Sequence, residues 1–237
     1  MIIKNAKVFN VGALFAITFL GVLIAIFSPL FQEGKNGLQF ADDSFNKLAK
    51  GSSYFIPKVA KTVEPFVNKT FTASIAMEKA DDAQIIEKIF TAAGAKVTRQ
   101  DSTLKLDGDL GAVLQSAIKD ADAMYANNGK AVSTRYGIDE KKALQNWWQA
   151  LSRIEKSMKK EKNLDMAKVV SEVNKKAIEP GYNFYRIDAN SVKDHAGMLS
   201  GLLVFYVFYT MWWGYAIFYL FEGFGLTMKK ARVKKEA

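Results

Sequence analysis

The sequence predicts an α+β membrane protein in which two transmembrane helices flank a mostly helical extracytoplasmic domain. Residues 8–31 and 196–221 carry no charged side chain and are mostly apolar. Each run is longer than the roughly 20 residues that a helix needs to cross a bilayer. Between them, the spacing of apolar residues over residues 70–128 is typical of a strand-helix-strand-strand-helix unit. The two apolar runs predict the membrane attachment, and the middle predicts a folded domain.

The first apolar run follows a short basic start, residues 1–7, which contains Lys4 and Lys7. A basic start before an apolar run is also typical of a secretory signal peptide. The run is about twice the length of a signal-peptide core, and no small-x-small cleavage site follows it. We therefore expect an uncleaved signal anchor over residues 8–31, with Pro29 marking its outer end.

The predicted extracytoplasmic domain covers residues 32–195, and its clearest part is the sheet unit at about 70–128. Apolar and polar residues alternate from Phe71 to Met77, which predicts a strand. Apolar residues at helical spacing follow, and the same two patterns then recur up to Asn128. A small sheet with both helices on one face is the arrangement that buries these apolar positions most simply.

A helical hairpin is predicted at about 138–178. Its first helix places apolar residues at alternating spacings of three and four, a pattern that favours a packed helix face. These residues are Leu144, Trp147, Leu151, Ile154 and Met158. Residues 179–181, Glu-Pro-Gly, are expected to end the second helix. Trp148 lies beside the apolar face, so it either packs in the core or forms an exposed anchor for a partner.

The second transmembrane helix is predicted over residues 196–228 and is unusually aromatic. Interfacial belts are the ordinary place for membrane aromatics, whereas here they run through the middle of the span. Two hypotheses remain: a lipid-facing aromatic anchor, or a helix packed against other membrane helices. The residues assigned to partner packing are Gly197, Gly201, Tyr206, Tyr209, Trp212, Trp213 and Phe218.

Glu222 ends the uncharged run and is the one ionisable residue predicted near membrane depth. Ionisable residues inside a membrane are functional candidates by default. Glu222 also lies close to the cytoplasmic end, so the alternative is a carboxylate that reaches the interface.

The orientation follows from the basic flanks of the two spans. Lys4 and Lys7 precede the first span, and five basic residues lie in the tail at 229–237. Basic flanks remain cytoplasmic, so both termini are expected inside and the central domain periplasmic or extracellular. We expect the protein in the inner (plasma) membrane of a bacterial cell.

Composition argues against several function classes. The net charge of +9 is spread among acidic residues without a basic stripe, so no nucleic acid partner is expected. The chain has no cysteine and one histidine, His195, which predicts no metal site and no nucleophilic triad. A phosphate-binding glycine loop is also absent from the sequence. We therefore predict no cofactor and no enzymatic activity.

Two functions remain. The first is a non-catalytic accessory or scaffolding subunit of a multi-subunit membrane complex, such as a transporter, channel or respiratory assembly, with integral membrane proteins and the lipid bilayer as partners. The second is a membrane-anchored sensor or ligand-binding module. Only nine residues follow Met228, so a signal from such a module is expected to leave through a partner helix.

Overall fold

The computed structural model describes residues 3–226 and shows a mostly helical α+β fold with one small sheet. The helices are α1 (Ala6–Phe27), α2 (Gly37–Ser52), α3 (Ile56–Val63), α4 (Ala80–Ala92), α5 (Leu110–Tyr125), α6 (Gly129–Tyr136), α7 (Glu140–Lys160), α8 (Leu164–Val173), α9 (Glu179–Asn183) and α10 (Ala196–Gly223). The strands are β1 (Thr70–Ala76), β2 (Lys96–Gln100) and β3 (Thr103–Asp109). The described residues form two compact units, one up to Phe45 and from Asn190 onward, the other Asn46–Ala189.

The first unit contains the two apolar helices. α1 has 22 residues and α10 has 28, and both are long and apolar enough to cross a membrane by length and composition. The Asn5 side chain accepts a hydrogen bond from the Val8 N–H at 3.2 Å and begins α1. α1 ends at Phe27, two residues before Pro29. The predicted inner end of the second span and the basic tail lie outside the described residues.

The second unit contains the predicted small sheet, which the structure confirms. Its strand order is β1-β3-β2, and both pairs are antiparallel. Phe71, Ala73 and Ile75 are buried while their neighbours along β1 are exposed, as a half-covered strand requires. Asp109 ends β3 and accepts a hydrogen bond from the Ala112 N–H at 3.2 Å, so the start of α5 is capped.

Helix α7 supplies the core of the helical part. The five residues at spacings of three and four, Leu144 to Met158, are all buried. Phe90 of α4 packs against the Trp147 ring, with ring centres 4.8 Å apart. The apolar face that the spacing predicts is therefore the face that joins α7 to the sheet unit.

The prediction that Glu179-Pro180-Gly181 ends a helix is wrong. The chain continues from α8 through a π-helix, Asn174–Ile178, into α9. The Glu179 N–H donates to the carbonyl of Asn174, five residues back, and Pro180 then occupies the first turn of α9. Proline is tolerated in a first turn because its missing N–H is not needed there. A Cβ at position 181 would lie 2.7 Å from the Ala121 carbonyl oxygen of α5, so the close packing at this position requires a glycine.

Candidate functional site

Helices α1 and α10 pack against each other through aromatic rings and two close glycine contacts. Phe19 lies between Tyr209 and Trp213, with ring centres 4.2 and 4.7 Å away. A Cβ on Gly12 would lie 2.6 Å from the Leu220 nitrogen, and one on Gly223 would lie 2.7 Å from Phe9. The glycines therefore permit a backbone approach that any larger residue would prevent.

Two polar side chains of α10 form hydrogen bonds to the backbone of α1. The Trp212 indole N–H donates to the Phe15 carbonyl at 3.1 Å. The Tyr209 hydroxyl donates to the Phe19 carbonyl at 3.4 Å. Of the residues predicted for partner packing, Tyr209, Trp212 and Trp213 thus contact α1 within this chain.

The other residues predicted for partner packing lie on α10 but do not take part in its contact with α1. Nothing in the described part of the chain comes within 4 Å of a Cβ placed on Gly197 or Gly201. Tyr206 and Phe218 are exposed. Glu222 is exposed as well, in the last turn of α10. These residues are therefore available to lipid or to another protein.

The exposed side of α10 contains a regular pattern that the sequence argument missed. Eight exposed residues recur at alternating spacings of four and three, the heptad spacing of packed helices. They are Gly197, Gly201, Val204, Phe208, Met211, Tyr215, Phe218 and Glu222, called here the open stripe. The spacing was visible in the sequence, but only the structure shows that α1 leaves this stripe uncovered.

Trp148 lies at the edge of a cleft in the second unit. Its side chain is exposed, and its indole N–H donates to Glu179 Oε1 at 2.9 Å. The cleft has a volume of about 300 Å³. It is lined by Leu144, Gln145, Trp148, Ile178, Glu179, Tyr182 and Asn183. Trp148 was identified from the sequence as a candidate contact residue. Its hydrogen bond to Glu179 was not, because the two residues are 31 positions apart and no local pattern relates them.

Asp120 is the most buried charged residue of the second unit and was not predicted. One carboxylate oxygen accepts from the Arg135 guanidinium, and the other accepts from the Tyr136 hydroxyl and from the Trp147 indole at 2.9 Å. Burial raises the pKa of Asp120, and the two hydrogen bonds and the Arg135 charge oppose that rise. Because every oxygen is partnered and the side chain is inaccessible, this cluster stabilises the core.

The same cluster predicts a weakness at alkaline pH. Burial and the hydrogen bond to Asp120 raise the pKa of Tyr136 from 10.0 to about 12. A raised pKa means that the folded state holds the proton more tightly, so stability is lost as pH rises from about 10 to about 12. We expect unfolding followed by circular dichroism to show a loss of up to about 3 kcal/mol over this range, at about 1.4 kcal/mol per pKa unit.

In Tyr136→Phe the part of the alkaline loss that comes from this residue should disappear, although the variant is less stable at pH 8. Tyr182→Phe is the matched control, because Tyr182 lies in the same unit and is only partly buried. An alkaline stability profile of Tyr136→Phe that parallels the unsubstituted protein would contradict this account.

Lys50 is buried at the end of α2 and joins the two ends of the second unit. Its ammonium donates to the carbonyls of Phe184 at 3.1 Å and Ile187 at 2.6 Å, and to Asn127 Oδ1 at 3.0 Å. The Tyr125 hydroxyl donates to the Lys50 carbonyl. Burial lowers the pKa of Lys50, and the nearby charge of Asp188 opposes that shift. Because the Lys50 ammonium donates to three acceptors, we assign it a structural role: it holds the end of α2 against residues 184–187.

Within residues 3–226, no three His, Asp or Glu side chains lie together in a way that could hold a metal ion. His195 lies at the start of α10, where its Nδ1 is 3.1 Å from the Ser191 carbonyl oxygen. The open stripe and the Trp148 cleft are two surfaces of the described structure that are open to a partner or ligand.

Comparison with known proteins gives no relative for this chain: no family model, no curated protein and no solved structure matches it.

Proposed function

We propose that this protein is a non-catalytic accessory or scaffolding subunit of a multi-subunit inner-membrane complex. The observation that carries the proposal is the open stripe of α10. In this arrangement α1 and α10 cross the membrane, both termini are cytoplasmic, and residues 32–195 lie outside. The partner is an integral membrane protein, such as a subunit of a transporter, channel or respiratory assembly, whose helix covers the stripe.

The depth of Tyr215 supports a protein partner rather than lipid. The 28 residues of α10 span about 42 Å at 1.5 Å per residue. On that scale Tyr215 lies about 8 Å from the helix midpoint, whereas interfacial aromatic residues lie about 15 Å from the centre of the hydrocarbon core. A hydroxyl at that depth needs a hydrogen-bond partner, and no atom of residues 3–226 supplies one to Tyr215.

The composition of the open stripe also supports helix packing. Gly197 and Gly201 allow a close backbone approach at one end, and Phe208, Met211 and Phe218 offer large contact areas further along. Glu222 lies about 19 Å from the midpoint at 1.5 Å per residue, so its carboxylate reaches the interface. We therefore do not assign recognition to Glu222.

The test is co-purification from native membranes in a mild detergent. Tyr215→Phe removes one membrane hydrogen bond, worth about 0.6–1.7 kcal/mol, and should reduce the co-purified partner by about 3- to 18-fold. Gly201→Leu blocks the close approach and should reduce it further. Tyr209→Phe is the matched control, because its hydroxyl faces α1, and it should retain the partner. Wild-type recovery with both Tyr215→Phe and Gly201→Leu would refute the proposal.

A second candidate function, a membrane-anchored ligand-binding module, is favoured by the Trp148 cleft. The cleft is lined by aromatic and apolar residues and one carboxylate, as small-molecule sites are. Stability of the isolated protein as a monomer, together with ligand binding in the cleft, would favour this alternative over the accessory role.

A further inference from the structure

The Trp148 cleft is held in shape by contacts on two sides of the tryptophan. The Trp148 carbonyl accepts from Asn174 Nδ2 at 3.2 Å, and the same Asn174 nitrogen donates to Ser152 Oγ at 2.8 Å. The Trp148 indole donates to Glu179 at 2.9 Å. Asn174 and Glu179 lie at the two ends of the π-helix, so this unusual turn fixes both the backbone and the ring of Trp148.

The cleft contains one irregular element, the π-helix Asn174–Ile178. Such turns are rare and frequently occur at functional sites. Asn174 is buried, and its Oδ1 has no hydrogen-bond partner among the described residues. The fold thus retains an irregular turn with an unpaired buried oxygen, and that turn places Ile178 and Glu179 in the cleft wall.

The charge of the cleft indicates the kind of ligand. Glu179 is the one ionisable acid or base among the seven lining residues, apart from the phenol of Tyr182. Trp148 occupies Glu179 Oε1, and no atom of residues 3–226 donates to Oε2. The faces of the Trp148 and Tyr182 rings are regions of negative potential that attract cations. A cation in the cleft would therefore lie close to a carboxylate and two aromatic rings.

The protein already makes one contact of this kind, to a ring that lines the cleft. The Lys141 ammonium lies 5.5 Å from the centre of the Tyr182 ring. This contact shows that the ring accepts a cation, and it also places a competing positive charge close to any cationic ligand. Removing the Lys141 charge should therefore strengthen the binding of a cation in the cleft.

We propose that the Trp148 cleft binds a small organic ammonium ion with an apolar or aromatic arm. The ammonium group lies against Glu179 and the aromatic rings, and the arm packs on the exposed carbon surface of Trp148. The volume of about 300 Å³ is at the lower end for small-molecule sites and fits a compact amine. This inference does not depend on the accessory role of the open stripe, since the two surfaces share no residue.

The test uses the full chain labelled with 5-fluorotryptophan in a maltoside detergent, because a phosphocholine detergent would itself present quaternary ammonium groups. The four tryptophans give separate fluorine resonances, which Trp→Phe variants assign. Titration with 2-phenylethylammonium should shift the Trp148 resonance and leave Trp147, Trp212 and Trp213 unchanged. The neutral analogue 2-phenylethanol should bind at least about 10-fold more weakly, since it lacks the cation–π and ion-pair contacts.

Two variants isolate the charge effect. Glu179→Gln keeps an acceptor for the Trp148 indole but removes the negative charge, and should weaken 2-phenylethylammonium about 10-fold. Lys141→Gln should strengthen it. Equal binding of the amine and the alcohol, or wild-type binding by Glu179→Gln, would overturn the proposal. It is also overturned if the Trp148 resonance moves only in the co-purified complex, because the cleft is then a protein contact.

Discussion

Replacing Asp120 with alanine is expected to destabilise the unit of residues 46–189 by about 3–5 kcal/mol, the cost of removing one partner from a buried ion pair. The substitution leaves the Tyr136 hydroxyl and the Trp147 indole without their acceptor, and the Arg135 guanidinium without its counter-charge. Each buried donor without a partner costs about 1–3 kcal/mol. Since a typical domain is stable by only about 5–15 kcal/mol, this single change can unfold much of the population at 37 °C.

Thermal melting of the full chain in mild detergent, followed by near-ultraviolet circular dichroism of the tryptophans, measures this loss. Asp81→Ala is the matched control, because Asp81 is an exposed aspartate at the start of a helix. It should cost about 1 kcal/mol or less. An Asp120→Ala variant that melts with the Asp81→Ala control would show that the buried cluster contributes no net stability.

Gly12→Leu is expected to separate α1 from α10. The new side chain would overlap the backbone of Leu220 and Tyr219, since a Cβ alone already lies 2.6 and 2.9 Å from it. Backbone atoms cannot move aside as a flexible side chain can, so the overpacking should cost about 1–3 kcal/mol or more. The aromatic contacts of Phe19 and Phe15 would be lost together with the glycine contact.

The chain has no native cysteine, so two cysteines introduced for spin labelling would be the only labelled sites. Labels at the exposed positions Ile24 and Leu203 should give one narrow distance in the unsubstituted protein and a longer, broader distribution in Gly12→Leu. Gly21→Leu is the control, because nothing in the described structure lies within 4 Å of its Cβ. Identical distributions in Gly12→Leu and Gly21→Leu would contradict the close-contact account.

The apolar helices and the sheet were predictable because each signal is local. Twenty or more uncharged apolar residues define a long helix without any knowledge of its neighbours. The alternation from Phe71 to Met77 likewise defines a half-buried strand. Leu144 to Met158 show their shared face through spacing alone. In each case the pattern repeats within the span of one element.

The features that the sequence did not reveal depend on residues far apart in the chain. Trp148 and Glu179 are 31 residues apart, and their contact forms where the π-helix Asn174–Ile178 leads into α9. Lys50 meets Phe184 and Ile187 more than 130 residues later. In α10, the sequence showed the aromatic residues but could not divide them between the contact with α1 and the open stripe.

The most direct test of the proposed accessory role is photo-crosslinking in the native membrane from position 215. We would replace Tyr215 with p-benzoylphenylalanine, irradiate intact cells, and identify the adduct by mass spectrometry, with the same group at position 209 as the control facing α1. A stoichiometric adduct with another integral membrane protein from position 215, but not from position 209, is the predicted result. Adducts with lipid alone, or with a second copy of this chain, would contradict the proposed role.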